Sequence, residues 1–193
     1  EEGDVLFELG EEIQQDLVSN ISNEELIEAV KELELDEIVD ILQNLPKERM
    51  NNILSNMSLV DRKRIEIGLT FPDNTAGGLL NTDVISVRPN NSINEVISYL
   101  RDQSDLPENT DKIFVVNNEN EYLGELLISK IITSKPSMLV REIMDTEFLP
   151  IDVDLDDKEV ATIFERNDLI SSSVVDKDGK LIGRITIDDV VDV

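Results

Sequence analysis

The stretch Gly183-Arg184-Ile185-Thr186-Ile187-Asp188-Asp189-Val190-Val191-Asp192-Val193 carries the clearest signal of how the C-terminal part of the chain folds. It predicts a strand over Leu181–Ile185 that runs into a helix, and Thr186-x-x-Asp189 is a capping-box pattern at the start of that helix. Asp189 and Asp192 are three residues apart and would therefore lie on one helical face. Since no glycine, lysine or proline ends the helix, we expect the native polypeptide to continue beyond it.

This stretch closes the second copy of an internal repeat. Thr82–Val87 matches Thr146–Ile151 at an offset of 64 residues, whereas Gly124 matches Gly183 at an offset of 59. The difference places five extra residues in the first copy, most simply in its Arg101–Thr110 loop. Each copy reads as extended segment, helix, strand, turn, strand and final helix, and is too small to bury both faces of its sheet alone. We therefore expect the two copies to pack together as one pseudo-symmetric α/β unit.

Residues 4–70 read instead as a series of short helices. Ser22-x-x-Glu25 and Ser58-x-x-Asp61 are helix-start signals, the first for a helix over Glu24–Leu33. Short helices joined by connections of only a few residues favour a bundle or small superhelix. The helical pattern breaks over Thr70–Gly78, which contains a proline and paired glycines. The predicted fold is an α-helical superhelix or bundle domain followed by an α/β tandem pair.

The amino-acid composition limits the partners, metal sites and kinds of catalysis that this chain can support. The chain of 193 residues has 43 Asp and Glu against 17 Lys and Arg, a formal net charge of −26, which argues against nucleic acid or an anionic lipid surface as a partner. It has no Cys and no His, so thiolate or imidazole sites for zinc, iron or copper are excluded, together with His- or Cys-based catalysis. Oxygen ligands remain, which suit Mg²⁺ or Ca²⁺. The alternative is that the charge serves solubility alone.

Hydropathy gives no sign of a membrane segment in this piece. No apolar run approaches the roughly 20 residues needed to span a bilayer, and no signal peptide is visible. From these two observations we expect the piece itself to be soluble and to lie in the cytoplasm.

The repeat resembles a tandem of cystathionine-β-synthase (CBS) domains over about residues 79–193. The mark of that family is a glycine followed by a Ser/Thr-x-x-Asp run, present in the second copy as Gly183, Thr186 and Asp189. CBS pairs typically bind adenine nucleotides in the clefts between their copies. The resemblance therefore implies Thr186 and Asp189 as candidate nucleotide ligands.

The first copy departs from this motif. Its corresponding positions read Gly124, Leu127 and Lys130. A leucine cannot replace the hydroxyl, and a lysine cannot accept hydrogen bonds from ribose hydroxyls. The motif is therefore intact only in the second copy.

The whole chain resembles a more specific family than the CBS domains, namely the cytosolic half of MgtE-type magnesium channels. The resemblance rests on the linker Asp73-Asn74-Thr75-Ala76-Gly77-Gly78-Leu79-Leu80, on Val140-Arg141-Glu142-Ile143-Met144, and on the closing run from Gly183. It implies a location at the cytoplasmic face of the cell membrane, a transmembrane pore domain of the same native chain, and a homodimer. The implied segments are an N-terminal domain (1–70), a linker (71–81), two CBS domains (82–135 and 136–185) and the start of a connecting helix (186–193).

The resemblance also implies magnesium ligands in the first part of the chain. Two acids four residues apart on an N-terminal helix correspond to Asp36 and Asp40, whose spacing puts both carboxylates on one face. In the linker the corresponding position is Gly78, which would act through its carbonyl oxygen. The alternatives are a helix N-cap for Asp36, a solvated side chain for Asp40 and a plain turn at Gly78.

In the second copy the implied ligands are Asp156 and Asp168, which flank a predicted helix. The chain departs from the family at Lys158, which replaces a carboxylate, and at Glu165, which adds one. The last implied pair is Asp189 and Asp192. For Asp189 three roles stay open, namely helix cap, ribose ligand and magnesium ligand, whereas Asp192 lies past the first turn and gains nothing from the helix dipole.

The function predicted from these features is a Mg²⁺-sensing regulatory region that becomes compact when Mg²⁺ binds between acidic domain faces, and so closes the pore. The alternative is an adenine-nucleotide-sensing CBS module that regulates an attached domain. We expect no enzymatic activity, because no nucleophile or general base accompanies the acids in a recognisable motif.

Overall fold

The computed structural model describes residues 18, 20–30, 33, 35–103, 106–191 and 193, with Leu35 and Asp36 described only in their backbone. The chain divides into two compact units between Pro72 and Asp73, so that the predicted linker segment from Asp73 onward belongs to the second unit. None of the helices in the described residues combines the length and apolarity that a bilayer crossing requires.

The first unit is helical, as the sequence predicts. Its helices are α1 (Asn23–Ala29), α2 (Leu35–Gln43), α3 (Lys47–Ser55) and α4 (Leu59–Gly68). Both predicted start signals form, because the hydroxyl of Ser22 accepts the N–H of Glu25 at 3.2 Å and that of Ser58 accepts the N–H of Asp61 at 3.1 Å. The core of this unit is aliphatic and draws on all four helices; its fully buried members include Leu26, Leu42, Ile53 and Ile65.

Helix α1 is shorter than predicted. It ends at Ala29 rather than at Leu33, and Val30 is its C-cap. The side chain of Val30 is packed in the core of the unit. The predicted periodicity therefore marked residues that face the core correctly, but not the point where the backbone leaves the helix.

The second unit contains two three-stranded sheets of identical topology, one for each copy of the repeat. In each sheet the first strand pairs in parallel with the second, and the second pairs antiparallel with the third. The first copy runs β1 (Ser86–Val87), α5 (Ile93–Asp102), β2 (Lys112–Val116), β3 (Tyr122–Leu127) and α6 (Ile128–Thr133). The second runs β4 (Ile151–Asp152), α7 (Asp157–Asn167), β5 (Ser171–Val175), β6 (Leu181–Thr186) and α8 (Ile187–Val191).

The strand registers confirm the internal repeat. Val115 is opposite Gly124 in the first copy and Val174 is opposite Gly183 in the second, and each pair is followed by a register shift. The five extra residues lie where predicted, since α5 ends at Asp102 and β2 begins only at Lys112.

Hydrogen bonds join the two copies in symmetric pairs. Asn81, which precedes the first copy, exchanges two backbone hydrogen bonds of 2.9 Å with Arg184 of β6. At the equivalent place Asp145, which precedes the second copy, exchanges bonds of 2.8 and 2.9 Å with Glu125 of β3. Each leading segment therefore extends the edge of the other copy's sheet. This arrangement confirms the expectation that the copies pack as one pseudo-symmetric unit.

Candidate functional sites

The Thr186–Asp189 motif forms the cap that its spacing predicts. The carboxylate of Asp189 accepts the hydroxyl of Thr186 at 2.8 Å and the backbone N–H of Thr186 at 3.3 Å. Thr186 ends β6 and is buried, whereas Asp189 is half-buried on α8. The carboxylate is therefore already held at the helix start, where it also complements the positive end of the helix dipole.

A buried arginine lies on the same face of β6 as Thr186. Arg184 is two residues before Thr186, and side chains two apart along a strand share a face. Its Nη2 donates to the carbonyl of Glu108 at 2.7 Å, but its buried Nε has no hydrogen-bond partner among the described residues. The same holds for the buried hydroxyl of Thr82. Buried donors without partners are uncommon, so both atoms are candidates for contact with a ligand or water.

The loop between α5 and β2 of the first copy contacts α8 of the second copy. The side-chain amide of Asn109 donates to the carboxylate of Asp188 at 3.0 Å. Together with the bond from Arg184 to Glu108, this contact places the longer loop of the first copy beside the intact motif of the second.

The first copy has no corresponding cap. Leu127 stands at the N-cap position of α6 and makes no side-chain cap hydrogen bond, and Lys130 is exposed. The hydroxyl–carboxylate cap that forms at Thr186 and Asp189 is therefore missing at Leu127 and Lys130, where the sequence departs from the motif.

A buried ion pair between β2 and β3 was not predicted from the sequence. The ammonium of Lys112 lies 3.2 Å from Oε1 of Glu125, and both residues are buried. Lys112 also donates to the carbonyl of Ser171 at 3.1 Å, which ties the pair to β5 of the second copy. Burial raises the pKa of the Glu125 carboxyl above its ordinary value, and the charge of Lys112 opposes that rise.

Lys112 and Glu125 also line a cavity of about 490 Å³. The rest of its lining comes from the second copy, namely residues 147–152, Leu155, Ile163, Asn167, Leu169 and the start of β5. The sequence signal for this site is a lysine and a glutamate inside otherwise apolar strands. That signal does not predict which charged residues form an ion pair.

The predicted magnesium ligands Asp36 and Asp40 lie together on one helix of the first unit, whereas Gly78 lies in the second unit. Asp36 and Asp40 are both on α2; Asp40 is exposed, and the side chain of Asp36 falls outside the described residues. Gly78 donates its N–H to the carbonyl of Thr75 at 2.9 Å. A Cβ at Gly78 would collide with the backbone of Asp73, so this position requires glycine whether or not its carbonyl binds an ion.

Asp156 and Asp168 lie at opposite ends of α7. Asp156 is the N-cap and accepts the N–H of Lys158 at 3.1 Å. Asp168 is the C-cap in the left-handed conformation, with φ of 50°, which aspartate tolerates better than most residues. The helix between them has 11 residues, and the 12 steps from Asp156 to Asp168 span about 18 Å, so the two carboxylates cannot bind the same ion.

The remaining predicted ligand, Asp192, falls outside the described residues. In the part of the chain that the structure describes, no three acidic side chains are grouped closely enough to hold a metal ion.

Comparison with protein families gives two matches. Residues 1–74 match the model of the MgtE intracellular N domain, and residues 76–135 and 140–193 match that of the CBS domain. Among curated proteins, the magnesium transporter MgtE of Thermus thermophilus is 32% identical over 132 residues, 68% of this chain and 29% of the transporter. The chain therefore spans less than a third of that relative's length.

Solved structures extend the likeness to nearly the whole chain. The crystal structure of the cytosolic domain of the Mg²⁺ channel MgtE in complex with ATP has a TM-score of 0.90 and 30% identity, covering 98% of this chain and 78% of that one. The soluble part of a magnesium transporter has a TM-score of 0.87 and 25% identity, covering 98% and 75%.

Proposed function

The chain belongs to the MgtE family of magnesium transporters and consists of its intracellular N domain followed by a CBS pair, and on this basis we propose that it is a Mg²⁺-sensing regulatory region. Its role is regulatory rather than catalytic. It acts at the cytoplasmic face of the membrane on an ion pore formed by another part of the same native chain.

The observation that carries this proposal is the family match together with the charge. The formal net charge is −26, and candidate ligands such as Asp40, Asp156 and Asp168 are exposed. Exposed carboxylates have the hard oxygen atoms that Mg²⁺ prefers, and Mg²⁺ usually keeps several of its waters while binding one or two of them. Bridging between acidic faces therefore needs few protein ligands at each ion.

The proposed mechanism is electrostatic. Two like charges about 4 Å apart repel by about 4 kcal/mol at an effective dielectric constant near 20, so facing acids favour an open arrangement of the domains. Mg²⁺ bound between such faces replaces repulsion with attraction. The ion shifts the population toward the compact form only if it binds that form more tightly. The compact form, acting through α8, closes the pore.

Small-angle X-ray scattering tests this mechanism. We expect the radius of gyration to fall as MgCl₂ is added at constant ionic strength, whereas KCl at equal ionic strength leaves it unchanged. The constant ionic strength separates bridging from simple screening. A radius of gyration that stays constant across the titration would rule out the compaction mechanism.

Single variants assign the ligands. Asp40→Asn and Asp189→Asn should shift the compaction to higher Mg²⁺ concentration. The control Glu159→Gln removes one exposed charge from α7, at a residue that is not a candidate ligand, and should cause no shift. If Asp36→Asn or Asp192→Asn leaves the response intact, that residue is not a ligand.

A second candidate function is the binding of an adenine nucleotide at the intact motif. It is favoured by the buried Arg184 Nε and Thr82 hydroxyl, which have no partners among the described residues and accompany Thr186. It is also favoured by the likeness to a structure in complex with ATP. Calorimetry that detects ATP binding weakened by Thr186→Val, with no response of the protein to Mg²⁺ alone, would favour this function over the first.

We also propose that the protein is a homodimer. Ile132 on α6 and Val191 on α8 occupy equivalent positions in the two copies and are 74% and 73% exposed. Exposed apolar side chains at matched positions of a pseudo-symmetric unit suit the self-complementary contact of a two-fold dimer.

A further inference from the structure

The loop between α5 and β2 connects the first copy to α8, a connection that the functions proposed above do not use. The side-chain amide of Asn109 donates to Oδ2 of Asp188 at 3.0 Å, and the two residues are 79 positions apart in the sequence. The second copy connects α7 to β5 through residues 168–170 alone and so has no segment of the same length. The contact therefore departs from the pseudo-symmetry of the repeat.

Hydrogen bonds to the second copy hold this loop on both sides of Asn109. Before it, the carbonyl of Glu108 accepts Nη2 of Arg184 at 2.7 Å. After it, the carboxylate of Asp111 accepts the hydroxyl of Ser171, the first residue of β5. Asn109 itself has a positive φ of 52°, which asparagine tolerates better than most residues. The amide of Asn109 is therefore presented to α8 by backbone that is fixed on the second copy.

The start of α8 depends on such contacts, because the first turn of a helix fixes several backbone dihedral angles in return for few hydrogen bonds. Besides the cap described above, Ile187 donates its N–H to the carbonyl of Ile170 at 2.9 Å, which is a contact within the second copy. The bond from Asn109 to the carboxylate of Asp188 is charge-assisted and comes from the first copy. Both copies therefore contribute to the placement of α8.

We propose that Asn109 is a positioning residue that holds the start of α8 through Asp188, and that it thereby sets the Mg²⁺ concentration at which the region becomes compact. The part of this inference that concerns Mg²⁺ rests on the proposed function. Helix α8 carries Asp189, a candidate ligand. Loss of the contact lowers the fraction of molecules whose α8 is in place, and the apparent affinity for Mg²⁺ falls by the same fraction.

Hydrogen exchange in a buffer without Mg²⁺ tests the positioning role. Asn109→Gly removes the amide and keeps the backbone, because glycine readily adopts a positive φ. We expect the amides of α8 to exchange at least about threefold faster, while those of β5 exchange as in the wild type. Asn120→Gly is the matched control, since Asn120 also has a positive φ, of 66°, and donates its amide to the second copy, to the carbonyl of Leu181 at 2.7 Å. It should leave the exchange of α8 unchanged.

An exchanged pair tests whether the contact itself is responsible. Asn109→Asp sets two carboxylates against each other and should also speed the exchange of α8, although aspartate tolerates the left-handed φ. The double variant Asn109→Asp/Asp188→Asn restores an amide that faces a carboxylate, and should return the exchange to within about twofold of the wild type. A double variant that exchanges as fast as Asn109→Asp alone would overturn the proposal.

Small-angle scattering during a MgCl₂ titration tests the regulatory role. Asn109→Gly should raise the Mg²⁺ concentration at the midpoint of compaction at least about threefold, and the double variant should restore it. Unchanged exchange in α8 of Asn109→Gly overturns the whole inference, and faster exchange with an unchanged midpoint overturns its regulatory part. If the wild type does not become compact but Asn109→Gly still speeds the exchange of α8, the proposed function fails and the positioning role stands.

Discussion

The ammonium of Lys112 and the carboxylate of Glu125 lie 3.2 Å apart, and both side chains are buried between the two CBS copies. The two residues are not directly opposite each other, since Lys112 pairs with Leu127 and Glu125 with Phe114 in the sheet register. Their contact is therefore a diagonal one across neighbouring strands. It joins the strand pair to the cavity and, through the carbonyl of Ser171, to the second copy.

The ion pair should show strong coupling in a double-mutant cycle. Lys112→Met should lower the free energy of unfolding by about 3–5 kcal/mol, because it leaves the Glu125 carboxylate buried without its counter-charge. Glu125→Gln should lower it less, because the ammonium of Lys112 keeps the carboxylate of Asp111 at 3.7 Å. The double variant Lys112→Met/Glu125→Gln should lose less than the sum of the two single variants, measured by urea denaturation. Additive losses would show that the pair contributes no coupling energy.

Stability should fall with pH through the titration of Glu125. Burial, the largest cause, raises the pKa of this carboxyl above its ordinary value of 4.5. The native state then holds a proton that the unfolded state has released, so this contribution to stability is present below about pH 4.5 and is lost as the pH rises through the raised pKa. The difference between wild type and Glu125→Gln, measured by urea denaturation at a series of pH values, isolates this effect. A difference that is independent of pH upward from 4.5 would contradict it.

Gly124 and Gly183, which occupy equivalent positions in the two copies, should not tolerate a side chain. A Cβ at Gly124 would collide with the carbonyl oxygen of Asp145, and one at Gly183 would meet that of Asn81 at 2.5 Å. Gly124→Ala and Gly183→Ala should each lower the free energy of unfolding by about 1–3 kcal/mol, because the leading segment of the other copy must move away. Thermal or urea denaturation measures the loss.

The matched control for these glycines is Gly179, which has a positive φ of 74° but nothing within 4 Å of an added Cβ. Asn120 occupies the equivalent position in the first copy with φ of 66°. Gly179→Asn should therefore change stability by less than about 1 kcal/mol. A loss as large as those at Gly124 and Gly183 would mean that close approach is not the cause.

The proposed dimer should depend on the matched apolar positions of the CBS pair. Ile132→Asp and Val191→Asp should each weaken self-association at least about tenfold, because each would bury an unpaired charge in the contact. Sedimentation velocity over a range of protein concentrations measures the change. Leu59→Asp, at a residue of the first unit that is 85% exposed, is the control and should leave association unchanged. Association that persists in both CBS variants would place the contact elsewhere.

The sequence by itself determined the elements and their order. The caps at Ser22 and Ser58 involve groups only three residues apart, so local sequence is sufficient to specify them. The repeat was equally visible, because the offset of 59 residues that aligns Gly124 with Gly183 reappears as the strand register of the two sheets. The family resemblance rested on the same residues, and the matches to the MgtE N domain and the CBS domain confirm it.

Only the tertiary structure decided how distant residues meet. Nothing in the local sequence says that Lys112 and Glu125 pair, that residues 147–152 complete a cavity beside them, or that Asp145 extends the sheet of the first copy. These contacts join segments far apart in the chain, and their formation depends on how the two copies pack rather than on any short pattern. A cap is specified by neighbouring residues, whereas a buried charge pair and the cavity beside it exist only once both copies have closed around them.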